Sequence, residues 1–347
     1  MKTAVLLSGG VDSSVALRLL QEEGGQEITA YYLKIWLEDE LSYLGSCPWE
    51  EDLAYAQGVC DQAGVTLKVL NLQTEYFERV VSYTLEELKA GRTPSPDIFC
   101  NQRVKFGAFW EKVHEHYDRV ATGHYAQVGL VDGRAALLRA PDPVKDQTYF
   151  LSHLSQQQVS KIVFPLGHLM KKEVREKAKA WDLPNKDRPD SQGICFLGKI
   201  KYNDFVKHYL GDKPGPIMEK ETGRVLGTHK GFWFHTIGQR SGLGLSGGPW
   251  FVVKKDCDCN IVYVSHQENQ ESVNRRDFRA VNLTWIRRAV EDGESGLVCK
   301  LRHGPDLIPC SAEYTPEGSL NVILDRPDKG IAPGQFVVFY QGEECLG

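Results

Sequence analysis

The stretch AVLLSGGVDSS, residues 4–14, decides the fold of this chain. Its first four residues form a short apolar run of the kind that makes buried strands, and apolar residues then recur at helical spacing from Val11 to Leu20. The glycine-containing loop therefore joins a strand to a helix. Two glycines let the backbone approach an anion, while first-turn N–H groups and serine hydroxyls supply donors. We predict a phosphate-binding loop.

The loop differs from the common P-loop, because it contains no lysine and does not fit the pattern G-x-x-x-x-G-K-[ST]. Asp12 is better explained as a ligand for Mg²⁺ on pyrophosphate. The segment resembles the PP-loop ATP pyrophosphatases, which cleave ATP between the α and β phosphates and leave AMP on a substrate oxygen. The competing interpretation is a Gly-Gly turn in which Asp12 caps the helix.

At 347 residues and 39.0 kDa the chain is long enough for two or three domains, and its 41% hydrophobic and 25% charged residues are typical of a soluble globular protein. No apolar run approaches the length of a membrane span. Because the first strand begins near residue 3, we expect a cytoplasmic protein, or an organellar one whose transit peptide has been removed. Nine cysteines without disulfide-framework spacing suit a reducing compartment.

The formal net charge of −5 conceals local clusters of basic residues, and such a face can hold phosphates on a globally acidic protein. The first cluster is on a predicted helix, where a solvated surface paired with Glu173 and Glu176 explains it equally well. The two clusters are Lys171, Lys172, Arg175, Lys177 and Lys179, and Arg275, Arg276, Arg279, Arg287 and Arg288.

Strand and helix patterns alternate over residues 1 to about 200, which predicts an α/β, doubly wound parallel sheet with helices on both faces. Ligands of such sheets bind beyond the carboxyl ends of the strands, so the first loop and the later TGHY segment, residues 122–125, should be neighbours. The predicted strands are 3–7, 28–35, 66–71 and 118–122, and the predicted helices are 12–23, 50–63, 75–90, 103–116, 155–162 and 170–181.

After about residue 200 the sequence pattern changes: glycine, proline and short runs typical of β-strands replace the alternation of strands and helices. We predict a small β-rich central domain over 201–270, with strands in 229–240 and 250–253, and an antiparallel β-barrel over 271–347. The PP-loop catalytic domain then comprises 1–200. The pair Cys257 and Cys259 lacks further ligands at zinc-like spacing, which favours a polar hairpin turn.

Two other cysteines stand in loops that suit reactive thiols. Cys100 ends the rigid segment PSPDIFC, residues 94–100, near the start of a predicted helix, where the partial positive charge lowers the pKa of a thiol. Cys195 lies in DSQGICF, residues 190–196, too far along the chain for a C-x-x-C motif. Each alone is commonly a small buried hydrophobic residue. Beside an adenylating loop, a thiol or persulfide is a suitable nucleophile for the activated carbon.

The chain closely resembles bacterial and organellar tRNA-specific 2-thiouridylases, nearly from end to end. The motifs that carry the resemblance, after SGGVDSS, are PSPDIFCN (94–101), ATGHYA (121–126), KDQTYFL (145–151), DSQGICF (190–196), HTIGQRSGLGL (235–245) and PWFVV (249–253). The resemblance implies a sulfurtransferase acting on the wobble uridine of tRNAs for lysine, glutamate and glutamine. ATP activates the oxygen at the 2-position of the base, and sulfur replaces it.

The resemblance also implies roles for individual residues. Leu33 stands where some relatives have methionine, a conservative change at a base-packing position, and Ser95 replaces the asparagine usual in PNPD. Asp97 is expected as the acid or base at the reacting carbonyl. The expected ATP contacts are Leu6, Leu7, Ser8, Gly9, Gly10, Val11, Asp12, Ser13, Leu33 and Gly123. The expected target-base contacts are Ser95, Pro96 and Asp97.

By the same resemblance Cys195 carries the incoming sulfur as a persulfide, and Cys100 is the partner thiol. Either Cys100 frees sulfide from the persulfide, or the persulfide attacks directly and Cys100 expels it. Both routes leave a Cys100–Cys195 disulfide that a reductant must reset. A cysteine desulfurase, directly or through relay proteins, supplies the sulfur.

The expected tRNA contacts lie in two parts of the chain, and flipping out an anticodon base, at a cost of about a few kcal/mol, explains why several segments hold the tRNA. His124 is expected to orient substrate or phosphate, although a structural histidine fits equally well. The further contacts are Lys145, Asp146, Gln147, Arg302, His303 and Gln335.

Two other functions fit parts of the pattern. Another PP-loop ligase or amidotransferase would adenylate a carboxylate, but it needs an amine or ammonia site and no pair of thiols. A non-catalytic tRNA-binding or sulfur-relay module would have a decayed ATP site, which the intact Ser8, Gly9, Gly10, Asp12 and Ser13 oppose.

Overall fold

The structure is a computed structural model that describes residues 1–35, 49–190, 200–266 and 274–347. Cys195 lies outside the described residues, and so do the other residues of DSQGICF after Asp190. Within the described ranges no helix is long and apolar enough to cross a membrane.

Seven strands lie in the described part of the first 170 residues. The first two strands carry the buried apolar runs that the sequence shows, and Ala4, Val5 and Ala30 are fully buried. The strands are β1 (Lys2–Leu6), β2 (Glu27–Lys34), β3 (Thr66–Asn71), β4 (Arg119–Ala121), β5 (Gln127–Val131), β6 (Arg134–Leu138) and β7 (Ile162–Val163).

Helices connect and cover these strands, and two of the segments have π-type hydrogen bonding within longer helical runs. The helices are α1 (Val11–Glu23), α2 (Trp49–Ala63), α3 (Gln73–Tyr76), α4 (Phe77–Val81, π), α5 (Ser82–Lys89), α6 (Pro96–Phe99), α7 (Cys100–Ala108, π), α8 (Phe109–Val113), α9 (Thr148–Leu151), α10 (Gln156–Val159), α11 (Lys171–Ala180) and α12 (Tyr202–Leu210).

The five-stranded sheet has the order β3-β2-β1-β4-β7, and every pair in it is parallel. Two separate apolar clusters that include residues of β1 pack on it, one around Leu6 and Phe109 and the other around Val5 and Leu17. The predicted α/β class and parallel sheet with packed helices are therefore confirmed. From β1 the chain adds β2 and β3 on one side of the sheet and β4 and β7 on the other, so the strand order changes direction between β1 and β4. The loop after β1 lies at this point, where such sheets bind ligands.

The middle of the chain forms a four-stranded sheet in the order β10-β11-β8-β9. Its strands are β8 (Gly215–Glu219), β9 (Val225–His229), β10 (Trp250–Asp256) and β11 (Ile261–His266). Cys257 and Cys259 lie in the turn between β10 and β11, as the hairpin prediction stated, and no group of three or more potential metal ligands occurs in the described ranges.

The prediction of strands through 229–240 is wrong beyond the end of β9. Residues Phe232–Phe234 form a 3-10 turn, and no strand follows before β10. The physical reason is the glycines at 231, 238 and 242, which adopt positive φ angles that a regular strand does not accommodate.

The last part of the chain forms an eight-stranded sheet in the order β12-β15-β14-β13-β16-β17-β6-β5, antiparallel in every pair. The predicted antiparallel C-terminal sheet is thus confirmed. Its later strands are β12 (Arg275–Ala280), β13 (Leu297–Lys300), β14 (Ile308–Tyr314), β15 (Leu320–Asp328), β16 (Val338–Gln341) and β17 (Glu344–Cys345).

Two of the eight strands, β5 and β6, come from the first part of the chain, which sequence reasoning missed. β17 pairs with β6 through Glu344 opposite Leu138 and Cys345 opposite Leu137. The C-terminal sheet is therefore continuous with the hairpin that follows the TGHY segment. This pairing brings the C-terminal residues against the part of the chain that carries the KDQTYFL motif.

Two predicted helices have different bounds. The predicted helix 155–162 is the single turn α10, because β7 begins at Ile162 and pairs with β4. The helical run around Cys100 begins at Pro96 rather than at 103, since proline is well suited to the first turn of a helix. Cys100 therefore lies one turn inside the helix, and the N-terminal charge acts on it less than the sequence suggested.

Candidate active site

The loop after β1 has the backbone of an anion cradle. Gly9 has φ 76°, and a Cβ added there would lie 2.2 Å from the carbonyl oxygen of Asp52. The position accordingly requires glycine. Ser13 and Ser14 each donate a hydroxyl hydrogen bond of 3.0 Å to the Gly10 carbonyl at the start of α1. The Ser8 backbone nitrogen also donates to Ser13 Oγ at 3.2 Å, so the serine hydroxyls fix the loop against the start of α1.

Two residues that the sequence analysis did not single out donate hydrogen bonds to the same loop. Asn185 Nδ2 donates to the Gly9 carbonyl at 2.7 Å and to Ser14 Oγ at 2.9 Å, and it is almost fully buried. Arg188 Nη1 donates to the Gly9 carbonyl at 3.1 Å and pairs with Asp52. A lone asparagine and arginine in a proline-rich segment carry no pattern that reveals this role.

Gly123 brings the TGHY segment against the loop. A Cβ added at Gly123 would lie 2.6 Å from the backbone nitrogen of Ser13, closer than real Cβ atoms approach. The predicted proximity of these two segments is therefore confirmed.

His124 is half-buried, and its ring lies against other side chains of the protein. Its Nδ1 lies 2.6 Å from Thr122 Oγ1, and the rings of Phe106 and Phe164 lie 6.2 and 6.1 Å away. Burial, together with the charge of Lys105, lowers the pKa of His124 well below its usual range. The imidazole is neutral at pH 7, so it can act as a hydrogen-bonding group but not as a cation.

Asp12, in the first turn of α1, accepts hydrogen bonds from Tyr125 Oη at 2.9 Å and from Lys171 Nζ at 2.6 Å. Burial and the neighbouring Asp12 carboxylate raise the pKa of Tyr125, so its phenol remains a donor. These two bonds therefore fix the orientation of the Asp12 carboxylate, which stays 31% exposed.

Asp190 accepts from three cationic side chains. Lys145 Nζ and Lys171 Nζ each lie 2.7 Å from its carboxylate, and Arg175 also pairs with it. Burial raises the pKa of Asp190, but hydrogen bonds from Lys145 and Lys171 outweigh it and hold the pKa below its usual range. The sequence marked Lys171 and Arg175 only as members of a basic cluster, because helical spacing does not show which side chains turn inward.

Leu6 and Leu7 are buried at the end of β1, and Leu33 is half-buried near the end of β2. Leu33 lies opposite Leu70 of β3, in the apolar cluster that also contains Leu6. Leu6 and Leu33 therefore form an apolar wall at the strand ends, whereas Leu7 packs in the separate cluster around Val5 and Leu17.

The PSPDIFC segment packs into the same apolar cluster. Ser95 and Asp97 are half-buried, whereas Pro96 and Cys100 are buried, with Cys100 only 1% exposed. The next residue, Asn101, donates through Nδ2 to the Phe150 carbonyl at 3.0 Å. Cys100 thus lies at the junction between α6 and the segment that follows the KDQ triplet.

The three residues of the KDQ triplet, 145–147, lie in three different environments. Lys145 contacts Asp190, as described, and Gln147 Oε1 accepts a hydrogen bond of 3.0 Å from the Tyr125 backbone nitrogen. Asp146 is 2% exposed and pairs at 2.7 Å with Lys300 of β13, which is 1% exposed. The carboxylate of Asp146 is therefore enclosed between the two parts of the chain. Direct contact of these residues with tRNA stays a prediction.

Three C-terminal residues predicted to contact tRNA lie near the same junction. The ring of His303 packs on Phe150 with centroids 4.7 Å apart, and Arg302 pairs with Asp328 at 2.5 Å. Gln335 Oε1 accepts from the Ala332 nitrogen at 2.9 Å. The neighbouring Phe336 packs on Phe99 at 5.6 Å. These residues therefore border the helix that carries Cys100.

The second basic cluster is not a free phosphate-binding face. Arg287 pairs with Glu344, Arg288 with Glu294 and Arg279 with Glu317. Arg276 donates to the backbone carbonyls of Leu324 and Asp325. Four of its five arginines are thus engaged within the protein. The sequence could not show this for Arg276, Arg279 and Arg287, because these partners lie 38 to 57 residues away.

The described residues fit a nucleotide better than a resident metal. Gly9 and Gly123 lie where a Cβ would clash, and the first turn of α1 follows directly. Such a loop, with the N–H groups of a helix start and an apolar wall beside it, suits the phosphates and the base of a nucleotide. The carboxylates of Asp12 and Asp52 near the loop are each paired with a cationic side chain, and no cluster of three metal-ligating side chains occurs in the described ranges. Cys195 lies outside those ranges, so its convergence with Cys100 stays a prediction.

Fold and site together define a chain with an N-terminal nucleotide-binding α/β unit followed by two β-sheet units. Family models match all three: the tRNA methyl transferase HUP domain over residues 1–199, the tRNA methyl transferase PRC-barrel domain over 203–266 and the aminomethyltransferase beta-barrel domain over 275–347. More specifically, the chain belongs to the family of tRNA-specific 2-thiouridylases, which are tRNA sulfurtransferases.

The relatives that show this membership align along their whole length. The tRNA-specific 2-thiouridylase MnmA of Parabacteroides distasonis is 47% identical, with 100% of this chain and 98% of the relative aligned. That of Porphyromonas gingivalis is 46% identical, with 100% and 97% aligned. Among solved structures, the U34-tRNA thiolase NcsA of Methanococcus maripaludis covers 56% of this chain and 60% of its own at a TM-score of 0.36 and 20% identity, too slight a likeness to bear on function.

Proposed function

We propose that the protein catalyses ATP-dependent 2-thiolation of the wobble uridine in tRNAs for lysine, glutamate and glutamine. The observation that carries the proposal is the end-to-end alignment with 2-thiouridylases at 46–47% identity. The anion cradle at Gly9 and the adjoining Gly123 support ATP binding. Cys100 lies in the apolar cluster that also contains Leu6 at the end of β1, which puts a thiol in the same unit as the cradle.

In the first half-reaction, the uridine 2-oxygen attacks the α-phosphorus of ATP. A new P–O bond forms, the bond between the α-phosphorus and the bridging oxygen breaks, and pyrophosphate leaves. The loop from Ser8 to Ser13 would bind the phosphates, and Asp12 would hold a Mg²⁺ ion, which would neutralise the charge that develops on the leaving pyrophosphate. Ser95, Pro96 and Asp97 contact the base, and Asp97 moves the proton at the reacting carbonyl.

In the second half-reaction, sulfur replaces the adenylated oxygen. A cysteine desulfurase or a relay protein delivers sulfur to Cys195 as a persulfide. On one route the terminal sulfur attacks carbon 2 and AMP leaves; Cys100 then attacks the Cys195 sulfur, which breaks the bond between that sulfur and the transferred sulfur and leaves the latter on carbon 2. On the other route Cys100 attacks the Cys195 sulfur first and releases the terminal sulfur as sulfide, which then displaces AMP. Cys100 ends bonded to Cys195, so two electrons from an external reductant restore both thiols.

Two cysteine variants test the sulfur-transfer steps. We expect Cys100→Ser and Cys195→Ser each to reduce 2-thiouridine formation to background, because serine forms neither a persulfide nor a disulfide, while ATP binding persists. The measurement is mass spectrometry of nucleosides from tRNA incubated with ATP, a persulfide donor and the full chain. Cys259→Ser is the matched control, since Cys259 is exposed in the β10–β11 turn. Wild-type turnover in either active-site variant would show that the two-thiol mechanism is wrong.

Pyrophosphate release separates this reaction from the alternatives. We expect release to depend on tRNA, because the uridine oxygen is the nucleophile. A carboxylate ligase would form AMP without RNA, and a non-catalytic module would release no pyrophosphate under either condition. Either of these two results would overturn the proposed function.

A further inference from the structure

The carboxylate of Asp146, the middle residue of the KDQ triplet, is satisfied inside the protein. Its side chain is 2% exposed, and Lys300 Nζ donates to it at 2.7 Å. Thr148 Oγ1 lies 2.9 and 3.0 Å from the two carboxylate oxygens, and the Ala140 nitrogen donates to one of them at 3.3 Å. Because internal donors already occupy both oxygens, and an ionised carboxylate can only accept, an RNA group has no site to bind there.

Lys300, the partner of Asp146, is equally enclosed. It is the last residue of β13, its side chain is 1% exposed, and its ammonium lies 5.5 Å from the centre of the Tyr340 ring. A lysine is almost never fully buried unless its charge is paired. The pair therefore fixes the end of β13 against the segment that leads into α9.

The residues after β13 continue this contact with α9. Tyr149 Oη donates to the carbonyl of Leu301 at 3.4 Å, and the ring of His303 packs on Phe150 with centroids 4.7 Å apart. Together with the ion pair, these contacts join residues 300–303 to residues 146–150 at three successive points. Arg302 is the member of this stretch whose side chain stays 55% exposed, beside Asp328.

Arg302 lies close to the loop that is expected to receive the target base. A Cβ added at Gly330 would be 3.0 Å from Arg302 Nη2, so Arg302 adjoins the exposed Lys329. A few residues further along, the Pro333 carbonyl accepts a hydrogen bond of 2.8 Å from the Thr93 nitrogen, directly before PSPD, residues 94–97. Exposed cations of this kind bind the phosphates of a nucleic acid.

We propose that Asp146 and Lys300 are positioning residues for tRNA, because their buried pair holds the cations Arg302 and Lys329 at a fixed distance from the PSPD loop. The proposal rests on the proposed function, since it concerns how the tRNA of that reaction is held. It gives Asp146 no contact with RNA, where the family resemblance suggested one, and it gives Lys300 a part in tRNA binding.

The physical reason is that one tRNA has to satisfy two sites at once. Phosphate contacts at the cations strengthen binding of the base in the PSPD loop only if the spacing of the two sites matches the RNA. A small displacement of either site therefore weakens the complex. An ion pair that is hydrogen-bonded on both sides fixes this spacing more narrowly than apolar contacts alone.

Lys300→Met is the first test. We expect the Kd for tRNA to rise by about tenfold, because the end of β13 is no longer held against α9. The Kd for ATP should stay unchanged, since the hydrogen bonds of Asp146 and Lys300 reach no residue of the loop after β1. Lys2→Met is the matched control: its surface pair with Glu27 lies at the amino end of β1, and its affinity for tRNA should equal that of the unmodified protein.

Two further variants keep the test decisive if Lys300→Met fails to fold. Asp146→Leu combined with Lys300→Met leaves no unpaired charge in the junction, so it should recover most of the tRNA affinity that Lys300→Met loses. If Asp146 touched RNA directly, the double variant would bind as weakly as the single one, or more weakly. Tyr149→Phe buries no charge and removes one hydroxyl from the same junction, and we expect it to weaken tRNA binding by about threefold.

The measurement is filter binding of an unmodified lysine tRNA transcript to the full chain, well below the melting temperature of every variant. A pair that serves only the fold would lower the melting temperature of Lys300→Met and leave the tRNA affinity of the folded protein unchanged. That result, a double variant without recovery, or no tRNA binding by the unmodified protein would overturn the proposal. If the affinities shift as expected but no 2-thiouridine forms, the proposed function fails and the positioning role stands. If 2-thiouridine forms without these shifts, the positioning role alone fails.

Discussion

Single residues at the nucleotide loop are constrained by backbone contacts more than by their side chains. Gly9 approaches the carbonyl of Asp52, and Gly123 approaches the nitrogen of Ser13, both at distances that no other residue allows. The sequence predicted both glycines as ATP contacts through their motifs. The structure adds the reason, which is that each keeps two segments of backbone in contact around the cradle.

Gly123→Ala should therefore impair ATP binding. The added methyl group would meet backbone atoms of α1 at 2.6 Å, so the first turn must move, and we expect the Kd for ATP to rise by about tenfold or more, or about 1.4 kcal/mol. Calorimetric titration of ATP measures this. Gly58→Ala is the control, because Gly58 lies inside α2 with its nearest neighbour at 3.6 Å, and alanine there should leave the affinity unchanged. Unchanged affinity in Gly123→Ala would contradict the cradle geometry.

At the scale of elements, the contact that joins the KDQTYFL segment to the C-terminal sheet is a buried ion pair. Asp146 accepts from Lys300 Nζ at 2.7 Å and from Thr148 Oγ1 at 2.9 Å. Thr148 Oγ1 in turn lies 3.2 Å from Tyr340 Oη on β16. This chain of hydrogen bonds fixes β13 and β16 against α9, beside the helix that carries Cys100.

We expect Asp146→Asn to be strongly destabilising. Removing one partner leaves the Lys300 ammonium buried without compensation, which costs about 3–5 kcal/mol. The free energy of unfolding, from urea denaturation, measures the loss. Lys2→Met is the comparison, because the Lys2–Glu27 pair is 55% and 65% exposed and such surface pairs are worth at most about 1 kcal/mol. A loss in Asp146→Asn no larger than in Lys2→Met would show that the pair does not join the two elements.

The sequence predicted the elements of the parallel sheet well, because their apolar runs and helical spacings are local patterns. It failed where a residue's partner is distant. Lys300 lies 154 residues from Asp146, and no spacing rule connects them. The inward orientation of Lys171 and Arg175 was missed for the same reason, since it depends on Asp190 and Asp12. In residues 229–240 the aromatic residues led to the prediction of a strand, although the glycines at 231 and 238 adopt positive φ angles that prevent one.

At the scale of the whole molecule, buried histidines make stability depend on pH. Burial, followed by the charges of His229 and Lys255, lowers the pKa of His235 to about 4. Burial and the charge of Arg103 lower the pKa of His153 to about 4 as well. The ordinary value in an unfolded chain is about 6.5. The unfolded state therefore binds protons that the folded state does not between these two values.

We expect the free energy of unfolding to decrease as the pH falls from about 6.5 to about 4, since both histidines must ionise on unfolding. In His235→Leu this decrease should shrink by on the order of 2–3 kcal/mol, because His235 is only 7% exposed. Urea denaturation at a series of pH values measures the slope. His116→Leu, at an exposed position, should keep the full slope. A slope in His235→Leu identical to that of the unmodified protein would refute the assignment.

The pairing of β6 with β17 has a consequence for biosynthesis. The ribosome makes the chain from its N-terminus and therefore completes Leu138 of β6 long before Glu344 of β17. During this interval the β6 edge of the β5–β6 hairpin has no partner strand. The delay covers about 200 residues, or some ten seconds or more at roughly 5–20 residues per second. An exposed strand edge invites pairing with other nascent chains, so the interval is one in which a chaperone can protect the emerging polypeptide.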